Sequence, residues 1–320
     1  MLKDVLRLLR AYAGSSIGRE LSTWVAVQAQ PQHAGAGLDV ITMLVPMIES
    51  TTWDTKIQGL RSLNRLVMMA SAVEINWHFD LLSTVLMRAL VFWEEDALSL
   101  SLPATVAVMT SAHALHNSAA ASKEAEVAMS SCQNLIGQLI RALGMVSRDS
   151  QRMLLLDGIA KLVNRLHLGI SQYLERLITE LLDMMGGGKR SSQLSELLSS
   201  PDQMLSRLEL RLGCAQLMGT IVRNCWPRLG AHVCQIVAAS AIAYENAGCT
   251  SSDTVGERQG EIAQARQQLQ EELLMVVTLC RGVDLPRFAA LLPVLLHATE
   301  RTPPQLQSFA GALRQLGWLG

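Results

Sequence analysis

The chain has 320 residues, 49% of them hydrophobic, so a sizeable core can be buried. Lys+Arg number 27 against 28 Asp+Glu, a formal net charge of −1, a balance that argues for neither a nucleic-acid-binding face nor an acidic tail. Aromatic residues make up 4%, and a core drawn from Leu, Ala and Met instead of β-branched and aromatic residues points to helices.

Apolar residues recur at helical spacing almost throughout. Val5, Leu6, Leu8 and Leu9 open a short helix, and Pro31–Gly37 reads as a loop. Ile41, Leu44, Val45 and Ile48 fit a second helix; Ile57, Leu60, Leu63, Leu66 and Val67 fit a third; Leu81, Leu82, Val85, Leu86, Ala89 and Leu90 fit a fourth. Leu98-Ser99-Leu100-Ser101-Leu102 alternates briefly, and Pro103 then starts a helix-like run, since proline is tolerated in a first turn. Ser118–Ser122 is a small-residue linker. The helical texture continues through Leu135–Val146, Ile159–Leu166, Leu174–Leu182, Leu205–Val222, Val233–Ala243, Leu269–Leu279, Phe288–Leu296 and Leu306–Leu316. Flexible loops are expected near 31–37, 117–123, 186–202 and 248–256, and Pro303-Pro304 separates the last two helices. About a dozen helices joined by brief turns suit one all-α solenoid of antiparallel helix pairs spanning 1–320, with about five or six pairs.

A weak internal repeat agrees with this. Gly59-Leu60-x-x-Leu63-x-x-Leu66-Val67 is echoed by Gly158-Ile159-x-x-Leu162-Val163-x-x-Leu166 and Gly213-Cys214-x-x-Leu217-Met218-x-x-Ile221-Val222, with Ala107-Val108 a looser copy; the intervals are 48, 51 and 55 residues. Glycine inside a helix costs roughly 1 kcal/mol relative to alanine, so its recurrence at one phase predicts close helix–helix approach.

The mean hydropathy of +0.24 raises the question of a membrane. The longest uncharged stretch, Ala97 to Ser122, holds Pro103, His113, His116 and Asn117, and Leu229 to Tyr244 is too short to span a bilayer; both read as buried helices. Met1-Leu2-Lys3-Asp4, with Arg7 following, does not resemble a secretory leader. An intracellular, reducing compartment is therefore expected, with Cys132, Cys214, Cys225, Cys234, Cys249 and Cys280 as thiols.

Chemistry-bearing motifs are sparse. Cys225 and Cys234 lack the partners of a zinc site, and His113 and His116, on one helix face, lack an acidic or Cys ligand nearby; no metal and no cofactor are expected. Gly186-Gly187-Gly188-Lys189-Arg190-Ser191-Ser192 lacks phosphate-loop spacing and follows a helix instead of a strand. Trp93-Glu94-Glu95-Asp96 suits a helix N-terminus, where acids complement the dipole, better than a catalytic carboxylate pair. HExxH does not occur, and the chain reads as a non-enzyme. Cys225-Trp226-Pro227-Arg228 stands out: Pro227 holds Trp226 extended and can open a helix. On residues alone Trp226 is expected to pack under the turn and Arg228 to cap or pair locally; the competing reading is an exposed Trp/Arg interface hot spot.

Three segments, in order, carry a family resemblance: Lys56-Ile57-Gln58-Gly59-Leu60-Arg61; Ile159 to Leu166 with Asn164-Arg165, then Leu168-Gly169; and Asn224-Cys225-Trp226-Pro227-Arg228 before an apolar helix. From about Asp54 to Ala247 the chain resembles the Tel-two-interacting protein two family, subunits of the Triple-T co-chaperone complex. The resemblance implies a HEAT/armadillo-like α-solenoid without catalytic activity. It implies binding to the large HEAT-repeat Tel-two-interacting subunit and a Tel-two-like protein. Indirectly it implies work with the ninety-kilodalton heat-shock chaperone on phosphatidylinositol-3-kinase-related kinases. Asn164, Arg165, Trp226, Pro227 and Arg228 are the partner-binding candidates on this reading; against the family pattern the chain looks short at its N-terminus. The alternatives are another HEAT-type adaptor, for transport or the cytoskeleton, and an α-helical enzyme with a site around His113, His116 and Glu94–Asp96.

Overall fold

A computed structural model describes residues 37–118, 123–187, 200–248, 258–301 and 307–318. The expected helix at Val5–Leu9, the loop at Pro31–Gly37 up to its last residue, most of the Ser118–Ser122 linker, the run from Gly188, the Gly248–Gly256 connection beyond its first residue and Pro303-Pro304 lie outside these residues. Among the described residues every regular element is a helix. The chain divides into two compact units, Met1–Val146 and Ser147–Gly320.

The first unit contains α1 (Gly37–Ile48), α2 (Trp53–Met69), α3 (Ala72–Trp77), α4 (Phe79–Ala89), α5 (Glu95–Ser118) and α6 (Lys123–Met145). The short α3 escapes the periodicity argument because six residues span less than two turns. What starts it is a capping box: the Ser71 hydroxyl accepts from the Glu74 amide at 3.3 Å, and the Glu74 carboxylate accepts from the Ser71 amide at 2.8 Å. Those bonds hold the Glu74 carboxyl below its ordinary pKa. Two rows form: α1 packs on α4 and α4 on α6, while α2 packs on α5. α1 pairs with α2, and α5 with α4 and α6, across the rows.

Pro103 does not start α5, as the sequence suggests; it lies inside it. The Leu98–Leu102 alternation is helical, with Leu98 and Leu102 both buried one turn apart. Proline leaves one backbone carbonyl unpartnered, and the burial of Leu98, Leu102 and Ala104 around it outweighs that loss. The Glu95–Ala114 part of α5 is long and apolar enough to cross a membrane by length and composition alone. Here α2, α3, α4 and α6 pack around it, so its apolarity serves as the core of the unit.

The second unit contains α7 (Asp149–Leu166), a 3-10 turn (His167–Tyr173), α8 (Leu174–Leu182), α9 (Pro201–Cys225), a 3-10 turn (Trp226–Arg228), α10 (Val233–Gly248), α11 (Gln259–Val283), α12 (Leu285–Arg301) and α13 (Gln307–Gln315). α8 ends in a wide turn, Asp183–Gly187, in which Gly186 takes φ +125°, a conformation closed to most side chains. Ser200 caps α9 by accepting from the Gln203 amide at 3.3 Å, with Pro201 and Asp202 in the first turn. Again there are two rows: α7–α9–α11, and α8–α10–α12, the second carrying α13 on α10. α9 is buried on several faces, through Leu208, Cys214, Leu217, Met218, Ile221 and Val222.

Two of the repeated glycines, Gly59 and Gly213, mark close approaches. A Cβ on Gly59 would stand 3.0 Å from the Met47 Cβ and 3.1 Å from the Ile48 amide nitrogen, so α2 rides on the end of α1. A Cβ on Gly213 would stand 3.0 Å from the Met153 Sδ and 3.3 Å from Leu156, where α9 meets α7.

Candidate functional site

The C-terminal ends of α7 and α9 lie side by side in the second unit, and they unite the two later sequence segments. α7 closes at Leu166, and the next residue, His167, turns the chain with φ +47° and ψ −119°. Among the described residues it is the one non-glycine with positive φ, a conformation that costs on the order of 1–3 kcal/mol. Gly169 stands two positions on, yet the turn falls on His167 because side-chain bonds hold it there.

Those bonds centre on Asn224, in the last turn of α9. Its Nδ2 donates to the Asn164 Oδ1 at 3.0 Å and to the Thr220 carbonyl at 2.9 Å. Its Oδ1 is then the acceptor for the His167 Nδ1, 2.9 Å away. The imidazole must carry its proton on Nδ1, which leaves Nε2 for solvent or a partner. The neighbouring Cys225 Sγ donates weakly to the His167 carbonyl at 3.4 Å. Burial pushes the Cys225 thiol up to about 11, so it stays protonated as that donor.

Immediately beyond, Trp226 enters the 3-10 turn and is 58% exposed, with Pro227 and Arg228 exposed beside it. The expectation that Trp226 packs under the turn is overturned. Leu229 and Val233, both fully buried, already fill the space beneath, and the turn closes by the Leu229 amide donating to the Trp226 carbonyl at 3.2 Å. Arg228 neither caps nor pairs locally: among the described residues no carboxylate or carbonyl holds it, and the same is true of Arg165. Asn164, Arg165, His167 and Leu168 are exposed alongside. The product is a group of exposed side chains, Arg165, Leu168, Trp226 and Arg228, at two helix ends that a polar clasp holds together. Such a surface can bury a partner's apolar anchor and pair with its carboxylates.

Sequence reading places Asn164, Arg165, Trp226, Pro227 and Arg228 here, and the structure brings these five into one region. It misses His167, Leu168 and the role of Asn224, since no local pattern reports a bond between residues 60 apart. The other candidates do not converge. Glu95 and Asp96 form the first turn of α5, as acids at a helix N-terminus should. His113 is half-buried on the same helix, and the His116 side chain lies outside the described residues. Among the described residues no group of three or more His, Cys, Asp or Glu could hold a metal ion.

No protein-family model matches the chain, and no curated protein matches it. Among solved structures, an engineered protein described as "Crystal Structure of Engineered Protein" is similar with 14% identity and a TM-score of 0.48, over 85% of this chain and 97% of that one. A similarity of that strength carries no argument about fold or function.

Proposed function

We propose that the chain is a non-catalytic scaffold, a HEAT/armadillo-like α-solenoid, that serves in the cytoplasm and nucleus as a subunit of a Triple-T-type co-chaperone assembly. Its partners on this reading are the large HEAT-repeat Tel-two-interacting subunit and a Tel-two-like protein. Through them it supports folding and assembly of phosphatidylinositol-3-kinase-related kinases with the ninety-kilodalton heat-shock chaperone. The observation that carries the reading is the meeting of Asn164-Arg165 with Asn224–Arg228, joined by a 3.0 Å bond and capped by an exposed Trp226. Two of the three segments behind the resemblance thus build one accessible surface. Helices of alternate order pack in rows, α7–α9–α11 against α8–α10–α12, which is how stacked helix pairs bury a continuous core.

The test is to tag the protein in its own cells and identify what purifies with it in stoichiometric amount. Recovery of the large HEAT-repeat subunit with a Tel-two-like protein is expected. Trp226→Ala combined with Arg228→Ala should reduce that recovery at least tenfold while the thermal unfolding midpoint stays unchanged. A different stoichiometric partner in their place would sink the co-chaperone assignment.

A further inference from the structure

α2 carries a solvent-facing stripe that changes character along its length. Asp54, Gln58, Arg61, Arg65 and Met68 recur at three- and four-residue intervals and are exposed, with Met69 beside the last; Gly59, Leu60, Ser62, Leu63 and Val67 are buried. The stripe is polar at its start and apolar at its end, where Met68 is 60% exposed and Met69 41%. α3 prolongs the apolar part. Val73 and Trp77, one turn apart on that helix, are 57% and 69% exposed. No residue from Met68 to Val73 is buried, and both helices pack on α5, so they share a floor. The capping box between Ser71 and Glu74 fixes the start of α3 and with it the placing of Val73 and Trp77.

Single exposed apolar side chains need no explanation, but this density does. Among the described residues outside this segment, no ten consecutive positions hold more than two exposed large apolar side chains, and Trp77 is the most exposed of all. Trp, Met and Arg together are the composition of an interface, with methionine able to adapt its shape to a partner.

The charges beside the patch say what the partner brings. The neighbouring acids already have work within the fold: Asp54 and Asp80 stand in the first turns of α2 and α4, where they complement the helix dipole, and Glu74 is bound in the capping box. The arginines have none. Arg61 and Arg65 lie before the last turn of α2, which holds no basic residue, and among the described residues no carboxylate holds either. An anionic lipid surface calls for a denser basic cluster, on the order of 4–8 Lys and Arg together, and the exposed Asp54 and Asp80 would be repelled by it. A stripe at helical spacing is instead matched by a second helix laid along it.

We propose that the corner of α2 and α3 is a docking surface for an acidic amphipathic helix of another protein. The partner's apolar stripe covers Met68, Met69, Val73 and Trp77, and its carboxylates pair with Arg61 and Arg65. The surface belongs to the first unit and rests on neither the Asn224 clasp nor the co-chaperone reading.

The probes are two fluorescent helical peptides of about 18 residues. Both carry leucine at every third and fourth position; one is flanked along that stripe by Glu and the other by Lys. The full-length protein should bind the Glu peptide about tenfold more tightly than the Lys peptide, read by anisotropy. Met68→Ala with Trp77→Ala should weaken the Glu peptide about tenfold and leave the thermal unfolding midpoint unchanged, because neither side chain is buried. Arg61→Glu with Arg65→Glu should reverse the preference towards the Lys peptide. Absence of binding, equal binding of the two peptides, or binding that ignores either double variant overturns the proposal. A second measurement uses the full-length protein in its own cells with Val73→p-benzoylphenylalanine as a photocrosslinker. The captured segment, sequenced by mass spectrometry, should combine an apolar helical stripe with flanking Asp or Glu. A crosslink to lipid, to a second copy, to this chain's own residues or to a segment of any other character overturns the proposal as well.

Discussion

α5 and α9 are the central helices of their units, 24 and 25 residues long, and they differ in what they expose. α5 has acids only in its first turn and is surrounded by four helices, so its sides carry the core. α9 is buried mainly from Leu208 onward, but its last turn presents Asn224 to α7 and hands on to an exposed Trp226. The lesson is that the flanks of a packed helix are committed to burial, so exposed side chains can gather where a helix stops. At a stop, backbone groups lack partners and side chains from two helices can be tied together.

The largest effects should come from the flanks. Leu98→Ala in α5 and Leu217→Ala in α9, both essentially unexposed, should each cost about 2–5 kcal/mol by denaturant unfolding, read for each unit separately. Trp226→Ala should cost less than about 0.5 kcal/mol. A loss for Trp226→Ala comparable to Leu217→Ala would erase the distinction between flank and end.

Next in size is the contrast between the two tight glycines. Gly59→Ala should cost about 1–3 kcal/mol, because the new methyl meets the Ile48 backbone nitrogen and the Met47 Cβ, neither of which can yield cheaply. Gly213→Ala meets first the Met153 thioether, the flexible end of a side chain, and alanine gains roughly 1 kcal/mol of helix preference, so the net change should be near zero. Thermal unfolding of both variants decides it; a larger loss at Gly213 would mean that α7 and α9 cannot adjust.

The clasp should be worth less than the core. Asn224→Ala removes the amide that serves Asn164, His167 and Thr220 and should cost about 1–2 kcal/mol. In that background His167→Gly should recover part of the loss, because the positive φ no longer opposes a side chain. Failure to recover any would show that the clasp is not what holds the strained turn.

The smallest effect lies in the thiols. Burial pushes Cys132, Cys214 and Cys280 up to about 12 from an ordinary value of 9.0. Because the folded values are raised, the stability they confer is intact below pH 9 and declines as pH rises from about 9 towards 12. At pH 8, peptide-mapped alkylation should find Cys234, half-buried, modified well before these three.

Helix identity was legible in the chain because 3.6-residue periodicity is a local property: α8 appears at the same Leu174–Leu182 bounds that its leucine spacing indicates. The close approaches at Gly59 and Gly213 were legible too, since only a missing side chain lets helices come so near. Even α3, which escaped, carries a readable Ser71-x-x-Glu74 start. Proline misled at position 103, because tertiary packing can outweigh one lost hydrogen bond.

Local pattern could nominate Asn164, Arg165 and Trp226–Arg228, but not their union, the exposure of Trp226, the strained His167, or the capping of α13 by Glu245. The bonds behind these features join residues about 60 positions apart through distances that exist only after helices have packed. Periodicity states which face of a helix turns inward; only the packed structure decides what each helix end meets.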